Sequence, residues 1–327
     1  MSPKGTKRVR TRRGVSSLTV EQLAEDWFRS QRARDLSSET LRLRRHNIRT
    51  LTRFLERQGL STRIAEITKA DLEEFLIAAK RGHSEHTLMS HFNTLRVFFN
   101  WLVGEEELIH SPIARIPKPE LHEQPPDVLT ADEIQRLLRT CGGKSFADRR
   151  DRAILLLLID TGMRRQDVVQ LTLDTIDREA QTVSIVSKGR RARKPHYDKV
   201  AAAALDAYLR ARLRYVTEHP RLASEHGLWL GLRGRLTATG VYQIVRRRAK
   251  QAGLDGVHPH LFRHGFAHDW LAAGGQEGDL ATLAGWTPGS PMLRRYGAAL
   301  RQDRAIEAHK RFSPANRLAG RETTKGR

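Results

Sequence analysis

Residues 152–167, which read RAILLLLIDTGMRRQD, join a strongly apolar segment to a basic turn. The apolar run from Arg152 to Ile159 predicts a buried helix, and Gly162 is the residue type that ends one. The next helix then begins with Arg164 in its first turn. A guanidinium beside the free backbone N–H groups of a helix start is a good setting for a phosphate. Helix-starting arginines are common, so this turn by itself does not define a function.

The residues around this turn predict a domain of mixed helix and strand. Thr130 and Glu133 have the spacing of a capping box, which starts its first helix. Residues 182–187, TVSIVS, have the β-branched alternation of a strand. A basic turn over 188–194 leads from it to a second short strand near 195–197. The remaining segments have a helical pattern, around residues 200–215, 239–252, 259–273, 278–284 and 291–299.

The N-terminal part of the chain predicts a separate all-helical domain. Ile48, Leu51 and Leu55 recur there at helical spacing. Prolines are dense between residues 111 and 127, which indicates an extended linker because proline blocks helix and removes a strand donor. The fold class is therefore mainly α with a small β-hairpin, in two domains that form a clamp. The predicted order is a basic disordered arm, a helical domain, a proline-rich linker, a mixed α and β domain and a tail, at residues 1–17, 18–105, 106–127, 128–314 and 315–327.

Charge is the most informative property of the composition. The 327 residues include 58 Lys and Arg against 37 Asp and Glu, a net charge of +21. Such an excess predicts a polyanionic partner, most often nucleic acid, although it also favours solubility. The single Cys141 excludes a disulfide framework and a cysteine-based zinc site. No apolar run reaches the roughly 20 residues needed to cross a bilayer, and the basic N-terminus lacks the apolar stretch of a secretory signal.

Two further segments of the second domain place cations where protons can be exchanged. Lys188 lies at the tip of the predicted hairpin, where it can supply a proton or a charge, although an ordinary solvated turn is the alternative. Lys194 is the rival lysine, but Lys188 directly follows the strand. After Pro259, His260 and Arg263 are three residues apart on one helical face, which sets a group that titrates near neutral pH beside a permanent cation.

The same helix carries a second histidine pattern. His264 and His268 continue the face of His260, so a metal site is an alternative reading of this segment, and a structural histidine cluster is another. The segment lacks a His-Glu-x-x-His arrangement and a nearby cysteine, which favours proton transfer over metal binding.

A tyrosine completes the set of chemical groups. Tyr296 follows Trp286 by ten residues and is directly preceded by two arginines. A tyrosine hydroxyl has a pKa near ~10, so its attack on phosphorus requires neighbouring cations and a proton acceptor. Arginines, a lysine, a histidine and a tyrosine together suit phosphoryl transfer to a side chain, with the arginines neutralising charge that metal ions carry elsewhere.

In this order the motifs resemble those of the tyrosine recombinases, also called the phage integrase family. That family has an arginine in a Thr-Gly-x-Arg turn, a hairpin lysine, a His-x-x-Arg helix, a Gly-His or Gly-Trp pair and a C-terminal tyrosine. The resemblance covers nearly the whole chain. It implies that the helical domain is a core-binding domain for DNA and that the second domain is catalytic.

The resemblance also implies a role for each matching residue. Tyr296 would attack the scissile phosphate, leaving a 3′-phosphotyrosyl link, while Arg164 and Arg263 hold that phosphate. Lys188 would protonate the departing 5′ oxygen. His260 would assist proton transfer at the tyrosine. By the same resemblance, no cofactor and no metal ion is expected.

Two more positions match the family pattern. Trp286 would donate its indole N–H to a phosphate oxygen, and Asp167 would orient side chains of the site. The interval from Trp286 to Tyr296 is one residue longer than the family's common spacing, and residues 288–291 can hold that residue in a loop. A relative that binds DNA without cutting it therefore stays an alternative, as does a type IB-like topoisomerase.

The implied partner is double-stranded DNA with specific recombination sites, two of which would be bound by a homotetramer. No membrane partner is expected, and the protein would act in the bacterial cytoplasm at the nucleoid, as the integrase or transposase of a mobile element. Basic residues of the hairpin and of the helix after residue 239 are the expected DNA contacts, although a solvated helix face is the alternative for the second group. These residues are Arg190, Arg191, Arg193, Arg246 and Arg247.

Overall fold

The computed structural model divides into two compact units, residues 1–123 and 124–327. The structure describes residues 17–82, 84–121, 127–187, 191–287, 289–290, 292–293, 305–306, 309–310 and 313. The predicted basic arm, apart from Ser17, and the predicted tail at 315–327 lie outside the described residues.

The first unit is mainly helical in its described part, as the sequence predicts. Its helices are α1 Val20–Ala33, α2 Ser38–Arg57, α3 Lys69–Gly82 and α4 Glu85–Gly104. Thr19 caps α1 by accepting the backbone N–H of Gln22. Ser37 and Ser84 cap α2 and α4 in the same way. These hydroxyl oxygens pair N–H groups that the start of a helix otherwise leaves without a partner.

The core of the first unit extends beyond α4. Trp27 packs against Phe98 near its centre, with ring centroids 5.2 Å apart. Ile113 and Ile116 are buried in the same core, so part of the predicted linker at 106–127 packs against the helices. The prolines prevent regular structure there, but burial of the isoleucines between them is still favourable. The limits of the predicted domains stay predictions.

The helices of the second unit lie close to their predicted positions. They are α5 Ala131–Arg139, α6 Phe146–Thr161, α7 Arg165–Gln170, α8 Lys199–Glu218, α9 Ala238–Gln251, α10 Pro259–Ala272 and α11 Glu277–Ala284. The apolar helix α6 packs against α8, α9 and α10 in the main core of this unit. The helix predicted at 291–299 lies outside the described residues, apart from Met292 and Leu293.

Short antiparallel strand pairs complete the described part of the second unit. They are β1 Ile176–Asp177 with β2 Thr182–Val183, β3 Ile185–Ser187 with β4 Arg191–Arg193, and β5 Leu230–Gly231 with β6 Gly234–Arg235. A mainly helical chain with small strand pairs confirms the predicted class of secondary structure. The clamp formed by two domains stays a prediction. Among the described residues, no helix combines the length and the apolar character needed to span a lipid bilayer.

The strand predicted at 182–187 is divided at Ser184 into β2 and β3, and both parts face the same partner segment. The N–H of Ser184 donates to the carbonyl of Thr175 at 2.7 Å, beside the pairing of β2 with β1. The second strand lies at 191–193, and the predicted residues 195–197 continue it in the same register, because the N–H of Val183 donates to the carbonyl of Pro195 at 3.1 Å and Thr182 forms a bridge with His196. Strands β1, β5 and β6 have only two residues each, which is too short to show alternation.

Candidate active site

The turn between α6 and α7 sets the position of Arg164. Gly162 ends α6 with a φ of +56°, a left-handed conformation that favours glycine. A Cβ at this position would also lie 2.5 Å from the ring of Phe266. Arg164 is half-buried and is the N-cap of α7. The backbone prediction for this turn, an apolar helix ended by glycine and followed by an arginine start, is confirmed.

Asp167 connects this turn to the β3–β4 pair. Its carboxylate accepts the backbone N–H of Arg164 at 3.0 Å and a guanidinium N–H of Arg193. Asp167 is only 5% exposed, so water screens these interactions little. The carboxylate therefore joins the arginine turn to strand β4.

Arg193 lies inside the second unit, which corrects its assignment as a surface contact for DNA. Its side chain is 7% exposed, is ion-paired with Asp167 and donates to the carbonyl of Leu283 at 2.5 Å. Burial lowers the pKa of Arg193, the carboxylate of Asp167 raises it, and the nearby charge of Arg164 lowers it. An arginine stays protonated in proteins. Arg193 is thus a buried cation that faces protein groups.

Arg263 is the most buried of the predicted site residues that the structure describes. It extends from α10, is 1% exposed, and donates to the carbonyl of Gly162 at 2.8 Å and to that of Ala284 at 2.7 Å. A guanidinium removed from water needs such acceptors, because burying a charge without partners is unfavourable. One side chain therefore ties the arginine turn to the C-terminal end of α11.

Trp286 follows α11 directly and contacts Arg263. Gly285 ends α11 with a φ of +65°, and a Cβ there would lie 3.0 Å from Cδ of Arg193. The guanidinium carbon of Arg263 lies 4.8 Å from the centroid of the Trp286 ring, within the range of a cation–π interaction. Three segments singled out by the sequence, the turn at 161–164, Arg263 and Trp286, thus meet in one place.

His260 shares α10 with Arg263 but has a different environment. His260 is exposed, and its ring centroid lies 4.6 Å from that of His264 at an interplanar angle of 79°. The predicted shared face is therefore divided into an exposed histidine and a buried arginine. Across the described part of the chain, no group of three or more His, Cys, Asp or Glu is placed to hold a metal ion.

Three predicted residues, Lys188, Arg190 and Tyr296, lie outside the described residues. The chain that leads to the tyrosine is nevertheless described at one informative point. Leu293, three residues before Tyr296, is 6% exposed and packs with side chains of α10 and α11. Leu293 is therefore part of the unit that carries the arginine turn.

Helix α9 carries part of the predicted basic surface. Arg246 is exposed. Arg247 has a 52% exposed side chain, yet it donates to the buried carboxylate of Asp151 at 2.7 Å. Arg191 belongs to β4, where its backbone pairs with that of Ser187. Two neighbouring arginines of α9 thus differ, because one faces solvent and the other also holds the fold together.

Sequence reasoning missed a surface that joins α7 and α9. The guanidinium carbon of Arg165 lies 5.9 Å from the centroid of the Tyr242 ring, and Tyr242 is 39% exposed. Tyr242 and Arg246 are four residues apart, which places them on one face of the helix. That spacing was the available clue in the sequence, and it marks an exposed aromatic and cationic surface beside the arginine turn.

Two family models match the chain. The model described as "Phage integrase family" matches residues 127–302, and the one described as "Phage integrase, N-terminal SAM-like domain" matches residues 23–107. The tyrosine recombinase XerD of Mycobacterium leprae (strain TN) is 32% identical over 256 residues, which cover 74% of this chain and 81% of that protein.

Solved structures share the fold. The XerH site-specific recombinase bound to a palindromic difH substrate, in a post-cleavage complex, matches with a TM-score of 0.68 and 19% identity, over 89% of this chain and 84% of that one. The Tn1549 transposon integrase in complex with transposon right end DNA matches with a TM-score of 0.68 and 18% identity, over 90% and 100%. A lambda integrase tetramer bound to a Holliday junction matches with a TM-score of 0.64 and 16% identity, over 86% and 78%.

The fold, the convergent arginines and the family models agree with one another. The chain belongs to the phage integrase family and is a tyrosine recombinase, an enzyme that cleaves and rejoins DNA.

Proposed function

We propose that this chain recombines double-stranded DNA at specific sites through a 3′-phosphotyrosyl link to Tyr296. One observation carries the proposal: the buried guanidinium of Arg263 bonds the carbonyl of Gly162 and lies against the ring of Trp286. Motifs distant in the sequence therefore meet at one cation. A cation fixed in advance and shielded from water is suited to stabilise charge that develops on a phosphate in the transition state.

The nonbridging oxygens of the scissile phosphate are assigned to Arg164 and Arg263. Arg164 lies two residues after the carbonyl that Arg263 binds, so both side chains belong to the same corner of the second unit. The planar guanidinium fork matches two phosphate oxygens. Trp286 supplies an indole N–H as a further donor. Asp167 acts through Arg164, because it holds that residue's backbone in place.

The reaction exchanges one bond at phosphorus. The Oη atom of Tyr296 forms a bond to phosphorus while the bond to the 5′ oxygen breaks. His260 accepts the phenolic proton, a role that its exposed position on α10 supports. Lys188 gives a proton to the departing 5′ oxygen. Because the phosphotyrosyl link is again a phosphodiester, a 5′ hydroxyl from a second strand can reverse the step.

The DNA partner is a pair of recombination sites, bound by four copies of the chain. The net charge of +21 and the exposed Arg246 support a duplex partner, because cations that neutralise phosphates provide affinity. Arg190, Arg191 and Arg247 complete the proposed contact surface. The likeness to a lambda integrase tetramer on a Holliday junction supports the number of copies. The substrate places the protein at the nucleoid in the bacterial cytoplasm.

The DNA that is exchanged belongs, in this proposal, to a mobile element. The likeness to the Tn1549 transposon integrase, which covers 90% of this chain and 100% of that one, supports this assignment through the fold. The assignment predicts that the cleaved sites lie at the ends of a transferable segment.

The test is to trap the covalent intermediate on DNA. The purified protein is incubated with fragmented bacterial genomic DNA and denatured in SDS, and the covalently attached DNA is sequenced. Sequences enriched over the input, and lost with Tyr296→Phe, are the expected result. DNA that is bound without any covalent adduct would overturn the proposal in favour of a silent DNA-binding relative.

The recovered sequences then separate recombination from simple strand relaxation. Two duplexes that carry the recovered site and different labels are mixed with the protein. Exchange of the labels is expected. Relaxation of supercoiled DNA without such exchange would instead identify a type IB-like topoisomerase.

A further inference from the structure

Arg193 is the last residue of β4 and lies opposite Ile185 in the β3–β4 pair. Ile185 is 3% exposed and belongs to the main core of the second unit, so packing fixes this end of the pair. The guanidinium of Arg193 reaches beyond the pair and contacts two other elements. Its side chain is 7% exposed, which shields both contacts from water.

The first contact is with the start of α7. Arg193 donates to Oδ2 of Asp167, and the same oxygen accepts the backbone N–H of Arg164. One oxygen atom therefore connects β4 to the backbone of the proposed phosphate-binding arginine. Both partners of the side-chain bond are charged, and such bonds are about twice as strong as neutral ones.

The second contact is with the end of α11. Arg193 donates to the carbonyl of Leu283, and Arg263 donates to the next carbonyl, that of Ala284. The last carbonyls of a helix lack partners within it and carry partial negative charge. Two buried guanidinium groups thus bind the consecutive carbonyls that lie three and two residues before Trp286.

Gly285 permits the close approach of Arg193 to this helix end. A Cβ on Gly285 would lie 3.0 Å from Cδ and 3.2 Å from Nε of Arg193. Among the described residues, that Nε has no hydrogen-bond partner although it is buried. An unpaired buried donor is unfavourable, so the position of this side chain is explained by its two bridges.

From these contacts we infer that Arg193 is a positioning residue that locks the β3–β4 pair to the arginine turn and to the end of α11. The inference rests on the proposed function, because the loop between β3 and β4 contains Lys188, the proposed proton donor. The lock fixes where that loop begins and ends. Arg193 itself contacts protein groups and acts through them.

Hydrogen exchange on the DNA-free protein tests the lock itself. Arg193→Ala should increase exchange at residues 185–187, 191–193 and 281–286, because each segment loses its tie to the others. Arg212→Ala is the matched variant, since Arg212 is also a buried arginine and bonds the carbonyl of Leu228. It should increase exchange near Leu228 and leave β3–β4 unchanged. Unchanged exchange in β3–β4 with Arg193→Ala, or an equal increase with both variants, would overturn the inference.

Cleavage kinetics test the consequence for catalysis. The probe is a duplex with the recovered cleavage sequence, in which sulfur replaces the 5′ bridging oxygen so that the leaving group needs no proton. On ordinary DNA, Arg193→Ala should slow cleavage by about 100-fold, the lower end of what a positioned proton donor contributes. On the sulfur substrate, Arg193→Ala should regain most of the lost cleavage rate, and Lys188→Ala should do the same. Arg193→Lys should be intermediate, because an ammonium can pair with Asp167 but lacks the fork that also reaches Leu283.

Equal slowing of Arg193→Ala on both substrates, or no slowing on either, would overturn the inference. A wild-type protein that forms no adduct on either substrate would refute the proposed function. The exchange experiment needs no DNA, so it would still decide in that case whether the lock exists.

Discussion

At the scale of single residues, Arg263 joins more parts of the site than any other side chain that the structure describes there. It bonds the carbonyls of Gly162 and Ala284 and lies against the ring of Trp286. These contacts fix the plane of the guanidinium before DNA arrives. Catalysis by a prepositioned charge depends on such geometry, because no reorganisation is then needed during the reaction.

We expect Arg263→Lys to reduce the rate of adduct formation by about 100- to 1,000-fold, as loss of a prepositioned transition-state donor does. A single ammonium cannot reach both carbonyls and also present a planar fork to a phosphate. The measurement is single-turnover cleavage of a nicked substrate. Arg212→Lys is the control, because Arg212 is a buried arginine that bonds carbonyls elsewhere in the unit. Similar rate losses in both variants would contradict a specific role for Arg263.

The buried hydroxyl of Tyr208 should make the second unit less stable at alkaline pH. Burial raises the pKa of Tyr208 to about 12. In the unfolded chain the hydroxyl has a pKa of ~10. Above that pH, loss of the proton stabilises the unfolded state, while the hydroxyl of the folded state stays protonated. The free energy of unfolding should therefore fall by up to about 2–3 kcal/mol from about pH 10 to about pH 12, and this contribution is fully present below that window.

Urea unfolding as a function of pH measures this effect. Tyr208→Phe should flatten the alkaline slope and also lower stability at neutral pH by about 1–3 kcal/mol, since buried hydrogen bonds are lost. The N–H of Leu230 loses its partner, and the carbonyl of Leu228 keeps only the bond from Arg212. Tyr215→Phe, which keeps the ring stacked on Phe146, is the control. An unchanged alkaline slope in Tyr208→Phe would contradict the assignment.

The sequence predicts the residue types of the site better than their partners. Arg164 and Arg263 follow from motif spacing. The partner of Asp167 does not, because five cations lie between residues 188 and 194 and any of them has the right charge. Only the strand register, which places Arg193 opposite Ile185, turns one of them inward. That register depends on packing against the core, which the local sequence does not encode.

At the scale of elements, the arginines of α9 are divided between solvent and the fold. Arg246 is exposed, while Arg247 donates to Asp151, which is 0% exposed. We expect Arg246→Ala to leave the Tm unchanged. A plot of the logarithm of the DNA association constant against the logarithm of the salt concentration should become less steep by about 0.9, the value for one phosphate contact. Arg247→Ala should lower the Tm, because a buried carboxylate loses one of its partners.

Fluorescence anisotropy at several salt concentrations measures the salt dependence of DNA binding. Thermal unfolding measures the Tm. An unchanged salt dependence in Arg246→Ala would show that Arg246 contacts no phosphate, and α9 would then not belong to the proposed DNA-binding surface. An unchanged Tm in Arg247→Ala would show that its bond to Asp151 contributes nothing to the fold.

Helices were predictable at this scale, whereas the two-residue strands β1, β5 and β6 were not, for a physical reason. The capping box of Thr130 and Glu133 acts within one turn, so the sequence alone sets the start of α5. The strands are two or three residues long and are defined by partners elsewhere in the chain. Beside the β1–β2 pair, for example, Ser184 bonds Thr175, which lies nine residues earlier.

At the scale of the whole molecule, each unit has a hydrophobic core of its own. We expect a fragment of residues 17–121 to fold alone, because it contains all the core residues that the structure describes in the first unit. Circular dichroism should show a helical spectrum and a cooperative thermal transition. A helical signal that melts gradually, without cooperativity, would contradict an independent first unit.

Cys141 provides the matching measurement for the second unit in the full chain. It is 1% exposed, and burial raises the pKa of its thiol. The thiolate is the reactive form, so labelling requires the unit to open. The labelling rate in increasing urea should therefore follow the unfolding of the second unit alone.

Cleavage of DNA by Tyr296 is tested most directly by identifying the tyrosine that is joined to DNA. Trypsin releases Tyr296 in the peptide YGAALR, residues 296–301. After digestion of the trapped adduct with trypsin and nuclease, mass spectrometry should find a nucleotide remnant on that peptide. Tyr197 and Tyr208 are 1% and 0% exposed, and Tyr215 is half-buried with its ring stacked on Phe146. Tyr242 is 39% exposed and is thus the main competitor. A nucleotide on the peptide that contains Tyr242, or no adduct on any peptide, would contradict the proposal that Tyr296 cleaves DNA.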